Sequence, residues 1–144
     1  MLIKIIVVGK LKDRAIQSRC DEYCKWLRPY AKLEVVELPD SAPEREGQAI
    51  LKALEKERGF VFMLSEEGRE FTSEEFAAEL GRHDCRMIFV IGGPFGLIPE
   101  VKARGDLTWS LSKLTFTHEM ARFLLCEQLY RAATILHGGK YHNP

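Results

Sequence analysis

Apolar residues come in five short runs, Leu2–Val8, Leu33–Leu38, Phe60–Ser65, Met87–Ile91 and Leu107–Leu111, separated by longer stretches with helical spacing. Each run stops at Gly, Pro, a charged turn or a polar loop, and runs bounded in this way predict buried strands of a parallel sheet. Between the first two, Ile16, Cys20, Tyr23, Cys24 and Leu27 recur every three or four residues. They predict a helix over 14–28, with Asp13 as its cap and Pro29 at its end. Ser41 with Glu44, and Thr72 with Glu75, have the spacing of capping boxes and predict helices running to about Arg58 and Arg82. Ile50, Leu51 and Leu54 form the apolar side of the first, and Phe76 and Leu80 that of the second. Glu66-Glu67-Gly68 reads as a turn, and Pro99 opens a short helix to Arg104. After a polar loop, Ser112–Thr117, a long helix covers Glu119–Leu136. Its Met120, Phe123, Leu124, Leu125, Leu129, Tyr130, Ala133 and Leu136 spread over more than one face, so both core and subunit interface are expected to cover it. Strands alternating with helices place residues 1–144 in the α/β class, as a single domain with a mainly parallel sheet flanked by helices. Element order alone suggests a plain doubly wound fold.

Composition changes this picture in two places. The net charge is zero, yet residues 1–33 carry +5, residues 34–84 carry −8 and residues 85–144 carry +3. If the two ends share one face, that face is basic and suited to phosphates, with Lys10 and Lys12 as candidate contacts. The acids of the 41–58 helix read as a solvated face. The four cysteines lack zinc spacing, so no metal is expected, and Cys20 and Cys24 fall on a buried helix face. No run approaches the roughly 18 apolar residues of a membrane span, and the start lacks the pattern of a signal peptide. The expectation is a cytoplasmic protein with reduced thiols.

The chemistry points to Gly92-Gly93-Pro94-Phe95-Gly96, where the Met87–Ile91 run ends. Ligands of open α/β sheets sit at the carboxyl ends of strands, and a residue without a Cβ lets a ligand approach the backbone closely. Gly92–Gly96 is therefore the expected floor of a binding site. It is neither a dinucleotide fingerprint nor a phosphate loop, since no Gly-Lys-Ser/Thr follows.

Three segments then line up: Ile91-Gly-Gly-Pro-Phe-Gly-Leu97, Trp109-Ser-Leu-Ser-Lys-Leu-Thr-Phe-Thr-His118, and Leu129-Tyr-Arg131 with Tyr141-His142. In this order, with Ile6-Val-Val-Gly-Lys-Leu-Lys12 at the start, the chain resembles the ribosomal large-subunit pseudouridine N3-methyltransferase family of the SPOUT superfamily. The resemblance implies a C-terminal trefoil knot, a homodimer, S-adenosyl-L-methionine as cofactor, and methylation of pseudouridine N3 in large-subunit ribosomal RNA on the assembled ribosome. It implies cofactor contacts at Leu64, Gly92 and the loop Leu111-Ser112-Lys113-Leu114-Thr115-Phe116, and catalytic roles for Tyr141 and His142. RNA phosphate falls to Lys10, Lys12, Arg122, Arg131 and Lys140, with His118 beside Arg122 as a further candidate for phosphate or the cofactor carboxylate. Family members commonly have Arg or Lys after the Tyr-His pair, where this chain has Asn143. Two alternatives stay open: a SPOUT methyltransferase acting on another RNA such as a transfer RNA, and a non-catalytic ribosome-binding module.

Overall fold

The five apolar runs pair into one all-parallel sheet in the computed structural model, which describes residues 1–144. The strands are β1 (Leu2–Val8), β2 (Lys32–Leu38), β3 (Phe60–Glu70), β4 (Met87–Ile91) and β5 (Leu107–Ser110). The helices are α1 (Arg14–Leu27), α2 (Pro43–Leu54), α3 (Ser73–Gly81), α4 (Pro99–Lys102) and α5 (His118–Leu136). Side chains alternate across a strand, so each apolar run feeds two cores. Ile3, Ile5, Val7, Met87, Phe89 and Ile91 face the larger core, with buried residues of α1, α3 and α5. Ile6, Val8, Ile88 and Val90 face the smaller one, with Ile50 and Leu54 of α2 and Val101 of α4.

The strand order is β2-β1-β4-β3-β5, not the sequential spread of a plain doubly wound sheet. β4 lies between β1 and β3, pairing Ile3–Val7 on one edge and Phe60–Met63 on the other. All five of its residues are buried. Such a strand needs neighbours on both edges as well as cover on both faces, and the central place supplies both.

Local chemistry sets most helix starts. Asp13 accepts hydrogen bonds from the Ala15 and Ile16 amides, and Thr72 and Glu75 form both arms of a capping box. Thr117 caps α5 by accepting from the Met120 amide, so that helix starts at His118. Ser41 does not cap α2: Ala42 holds the cap position without a side-chain bond and Pro43 opens the helix. The Ser41 amide donates instead to the Glu46 carboxylate at 2.9 Å, and Glu46 is buried, unlike the solvated acids expected on this helix. α2 stops at Leu54, after which the chain turns so that Glu57 pairs with Lys4 and Arg86. β3 does not end at Ser65. It runs to Glu70, with its register against β5 shifting between Leu64 and Arg69. Glu66-Glu67-Gly68 is therefore a bulge inside a strand, which lets a charged segment stay within the sheet. Cys20, Cys24 and Cys126 meet where α1 packs on α5, with the Cys24 and Cys126 sulfurs 3.9 Å apart. No helix is long and apolar enough to cross a membrane.

Candidate functional site

A cavity of about 300 Å³ opens where the ends of β3, β4 and β5 meet the first turn of α5. That is near the lower end of the size range of small-molecule sites. Leu64, at the β3 bulge, and Gly92, directly after β4, form part of its wall. A Cβ on Gly92 would lie 2.8 Å from Leu97 Cδ2 and 3.0 Å from the Gly96 carbonyl oxygen. The turn can fold back over the strand end only because that atom is missing. Behind the turn, α2 presents Glu46, 4% exposed, with one carboxylate oxygen against Gly93 and without a hydrogen-bond partner.

The loop after β5 supplies another wall. None of the backbone–backbone hydrogen bonds outside helices and strands involves residues 111–116. The loop keeps its shape through side chains: the Leu114 amide donates to Ser112 Oγ at 3.0 Å, and Ser110 Oγ donates to the Ser112 carbonyl at 2.8 Å. Thr115 Oγ1 donates to Glu66 at 2.8 Å, joining the loop to the β3 bulge. Most backbone donors and acceptors of the loop are thereby left for a ligand, a suitable surface for the edge of a purine. The ionisable groups on the wall are Glu66, Glu67 paired with Lys102 at 3.1 Å, and His118.

Of the residues expected at the cofactor site, Leu64, Gly92, Leu111, Ser112, Leu114, Thr115 and Phe116 line this one cavity. Lys113 does not; its side chain is 87% exposed, with Glu70 at 3.9 Å. Phe95 lines it with the rest of the Gly92–Gly96 turn, as expected, whereas Ser65, Glu66, Glu67 and Lys102 also line it and were not expected there. The signal for three of them was proximity, since Ser65, Glu66 and Glu67 directly follow Leu64 in the chain, along the bulge that borders the cavity.

The tail lies elsewhere within the chain. The Tyr141 hydroxyl donates to Glu127 at 3.0 Å and lies 3.1 Å from that of Tyr23, while its ring packs edge-on against Tyr130. Burial, with the Tyr23 and Glu127 contacts, pushes the phenol well above its ordinary pKa, so it stays a neutral donor. His142 lies between Arg131, 3.1 Å from Nδ1, and Glu74, 2.8 Å from Nε2. This contact, followed by Glu74's own amide, holds the Glu74 carboxyl below its usual value. The cavity touches α5 at His118 and Ala121, whereas the tail docks at Glu127–Arg131, at least ~9 Å further along at 1.5 Å per residue.

The cations expected on RNA do not form one patch. Lys10 and Lys12 are exposed beside a groove with Glu37 and Asp40, and Arg122 at that end is 13% exposed and bound to Glu37 at 2.6 Å. Arg131 pairs with Glu127 near the tail, and Lys140 stands exposed beyond it. Folding thus engages both arginines with carboxylates and leaves the three lysines outside ion pairs.

Known proteins resemble the chain along nearly its whole length. The family model described as "Predicted SPOUT methyltransferase" matches residues 1–142. The chain is 44% identical over 151 aligned positions to a protein of Gloeobacter violaceus named ribosomal RNA large subunit methyltransferase H, covering 99% of each. Proteins of the same name from Symbiobacterium thermophilum and Exiguobacterium sibiricum are 41% and 40% identical, again over 99% of each chain. A probable methylase family protein from Haemophilus influenzae shares the fold, with a TM-score of 0.61 at 15% identity, over 99% of this chain and 70% of that one. A family match over residues 1–142, with relatives 40–44% identical along 99% of each chain, shows that the chain is a methyltransferase and belongs to the SPOUT methyltransferase family.

Proposed function

We propose that this protein methylates ring N3 of a pseudouridine in large-subunit ribosomal RNA, on the assembled ribosome in the cytoplasm, with S-adenosyl-L-methionine as methyl donor. The observation that carries the reading is the cavity, with Gly92 on its wall and the uncommitted backbone of Leu111–Phe116 beside it. The names of the curated relatives supply the substrate class. When bound, the donor supplies an already activated methyl group, so the protein has mainly to hold and align the partners. Leu64, Leu111 and the backbone groups of the Leu111–Phe116 loop would hold the donor, and Gly92 would keep the wall of its site in shape by letting the Gly93–Gly96 turn close on Leu97.

The acceptor nitrogen must lose a proton, and His142 is the residue to take it or to favour its loss. Tyr141, held protonated, orients rather than accepts. Within one chain the tail does not reach the cavity, so the reading assigns Tyr141 and His142 to the cavity of a second copy. The enzyme is then a homodimer with a knotted C-terminal part. Lys10, Lys12 and Lys140 hold RNA phosphate, with Arg122 and Arg131 joining where RNA displaces their carboxylate partners.

The test incubates the protein and labelled donor with whole ribosomes, separated subunits and naked RNA, and then maps the label. Label on N3 of one large-subunit pseudouridine, strongest on whole ribosomes, is expected. Label confined to transfer RNA, or to no RNA at all, would replace this reading.

A further inference from the structure

Phe95 has the most exposed large apolar side chain of the protein, at 81%, and Leu114 follows at 70%. Both belong to the rim of the same cavity. Phe95 projects from a tight turn in which the Gly96 amide donates to the Gly93 carbonyl at 3.0 Å. Pro94 and Phe95 are the central pair of that turn; the proline ring fixes one dihedral, and Gly96 closes the turn at φ +77° with open space around it. The aromatic ring is thus carried on a short, stiff support, and little backbone freedom is lost when something packs on it. On the neighbouring loop, Leu114 follows Lys113, whose ammonium is open to solvent.

N3 lies on the pairing edge of a pyrimidine. A base presenting that atom to a donor must be unpaired and turned out of its helix, which strips the stacking partners from its own faces or its neighbour's. An exposed aromatic ring at the mouth of the cavity replaces a lost partner. We propose that Phe95 stacks on a nucleobase of the acceptor strand at the entrance, with Leu114 as the second apolar side of the slot and Lys113 beside it for a phosphate. This rests on the reading of the protein as an RNA methyltransferase and adds a recognition residue to it.

Phe95→Ala, Phe95→Leu and Phe95→Trp separate the possibilities. Calorimetry gives the affinity for S-adenosylmethionine, label transfer gives KM for ribosomes, and sedimentation gives the oligomeric state. Loss of one base–aromatic stack is expected to raise KM for ribosomes about tenfold or more in the alanine variant. The leucine variant is expected to be impaired, because it keeps apolar bulk but no ring face, and tryptophan to restore function. Oligomeric state is expected to stay as in the wild type, and the rise in KM for ribosomes to exceed any change in donor affinity; a loss confined to donor affinity overturns the stacking role. Wild-type KM in the alanine variant, full function with leucine, or a change in oligomeric state each overturns the stacking role, the last making Phe95 a contact between copies. If the wild-type protein labels no RNA, the functional reading itself fails and this inference with it. Equal labelling by wild type and Phe95→Ala defeats this inference alone.

Discussion

At the scale of single residues, the site depends on atoms that are absent as much as on those present. Gly92 is the clearest case, because any Cβ there meets both Leu97 and the Gly96 backbone. Gly92→Val is expected to weaken donor binding by at least about tenfold, ~1.4 kcal/mol, while far-ultraviolet circular dichroism remains native. Unchanged affinity by calorimetry would remove Gly92 from the site. His142 makes the opposite argument, since its side chain is tied to Glu74 and Arg131 rather than left loose at the chain end. If it handles the N3 proton, His142→Ala should lower kcat about a hundredfold or more and change ribosome affinity little. A variant that loses affinity but keeps kcat would make His142 a binding residue only.

At the scale of elements, side chains of one segment organise the ends of another. Glu119, in the first turn of α5, accepts hydrogen bonds from the Lys12 and Asp13 amides at 2.8 and 3.0 Å, joining α5 to the entry of α1. Those two amides, Asp13's first, hold its pKa below the ordinary 4.5. A depressed carboxylate stabilises the fold above its unfolded value, and that contribution is lost as pH falls through the lower folded value. Glu119→Gln should therefore be less stable than wild type in urea at pH 7, and the gap should narrow under acid. A gap that stays constant from neutral to acid pH would show that the charge of Glu119 does not matter. The tail and α5 form a second such unit, through Tyr23, Glu127, Tyr130 and Arg131. Deleting Tyr141–Pro144 should leave donor affinity nearly intact, because the cavity lies further back along α5, and nearly abolish methyl transfer. Asn143→Arg is expected to hold or raise activity, most visibly at higher salt, where phosphate contacts are lost to ion competition. A truncated enzyme working at the normal rate would make the tail dispensable.

At the scale of the whole molecule, α5 has more apolar surface than its own chain covers. Leu125 and Leu129 are fully buried, but Met120 and Leu136 are 37% and 39% exposed, and Trp26 on the adjoining α1 is 38% exposed. Phe123 and Leu124 are only partly covered. Association through this surface is its expected use. Met120→Glu should shift the sedimentation of a micromolar sample toward monomer and reduce methyl transfer with it. Leu125 is unsuited to that test, because a charge there would disrupt the core first. A wild-type protein sedimenting as a monomer would contradict the homodimer and the shared site together.

The sequence by itself determined the parts whose causes are local. Five apolar runs gave five strands, because a residue pair buried on opposite faces needs no information from elsewhere in the chain. Asp13, Thr72 and Glu75 capped their helices as their spacing required. The glycine pair after Met87–Ile91 lies on the wall of the cavity, at the strand end where an α/β chain leaves room for one. Ser41 misled, because its amide and the Glu46 carboxylate bonded to each other once α2 packed against the Gly93 turn. The tertiary structure alone decided that β4 is central, since edge pairing joins residues far apart in sequence and leaves no periodic trace. It alone showed that Glu66-Glu67-Gly68 continues a strand and that Arg122 and Arg131 are already held by carboxylates. Charge and turn patterns record what a residue can do, whereas its partner depends on which distant segment packing brings within a few ångströms.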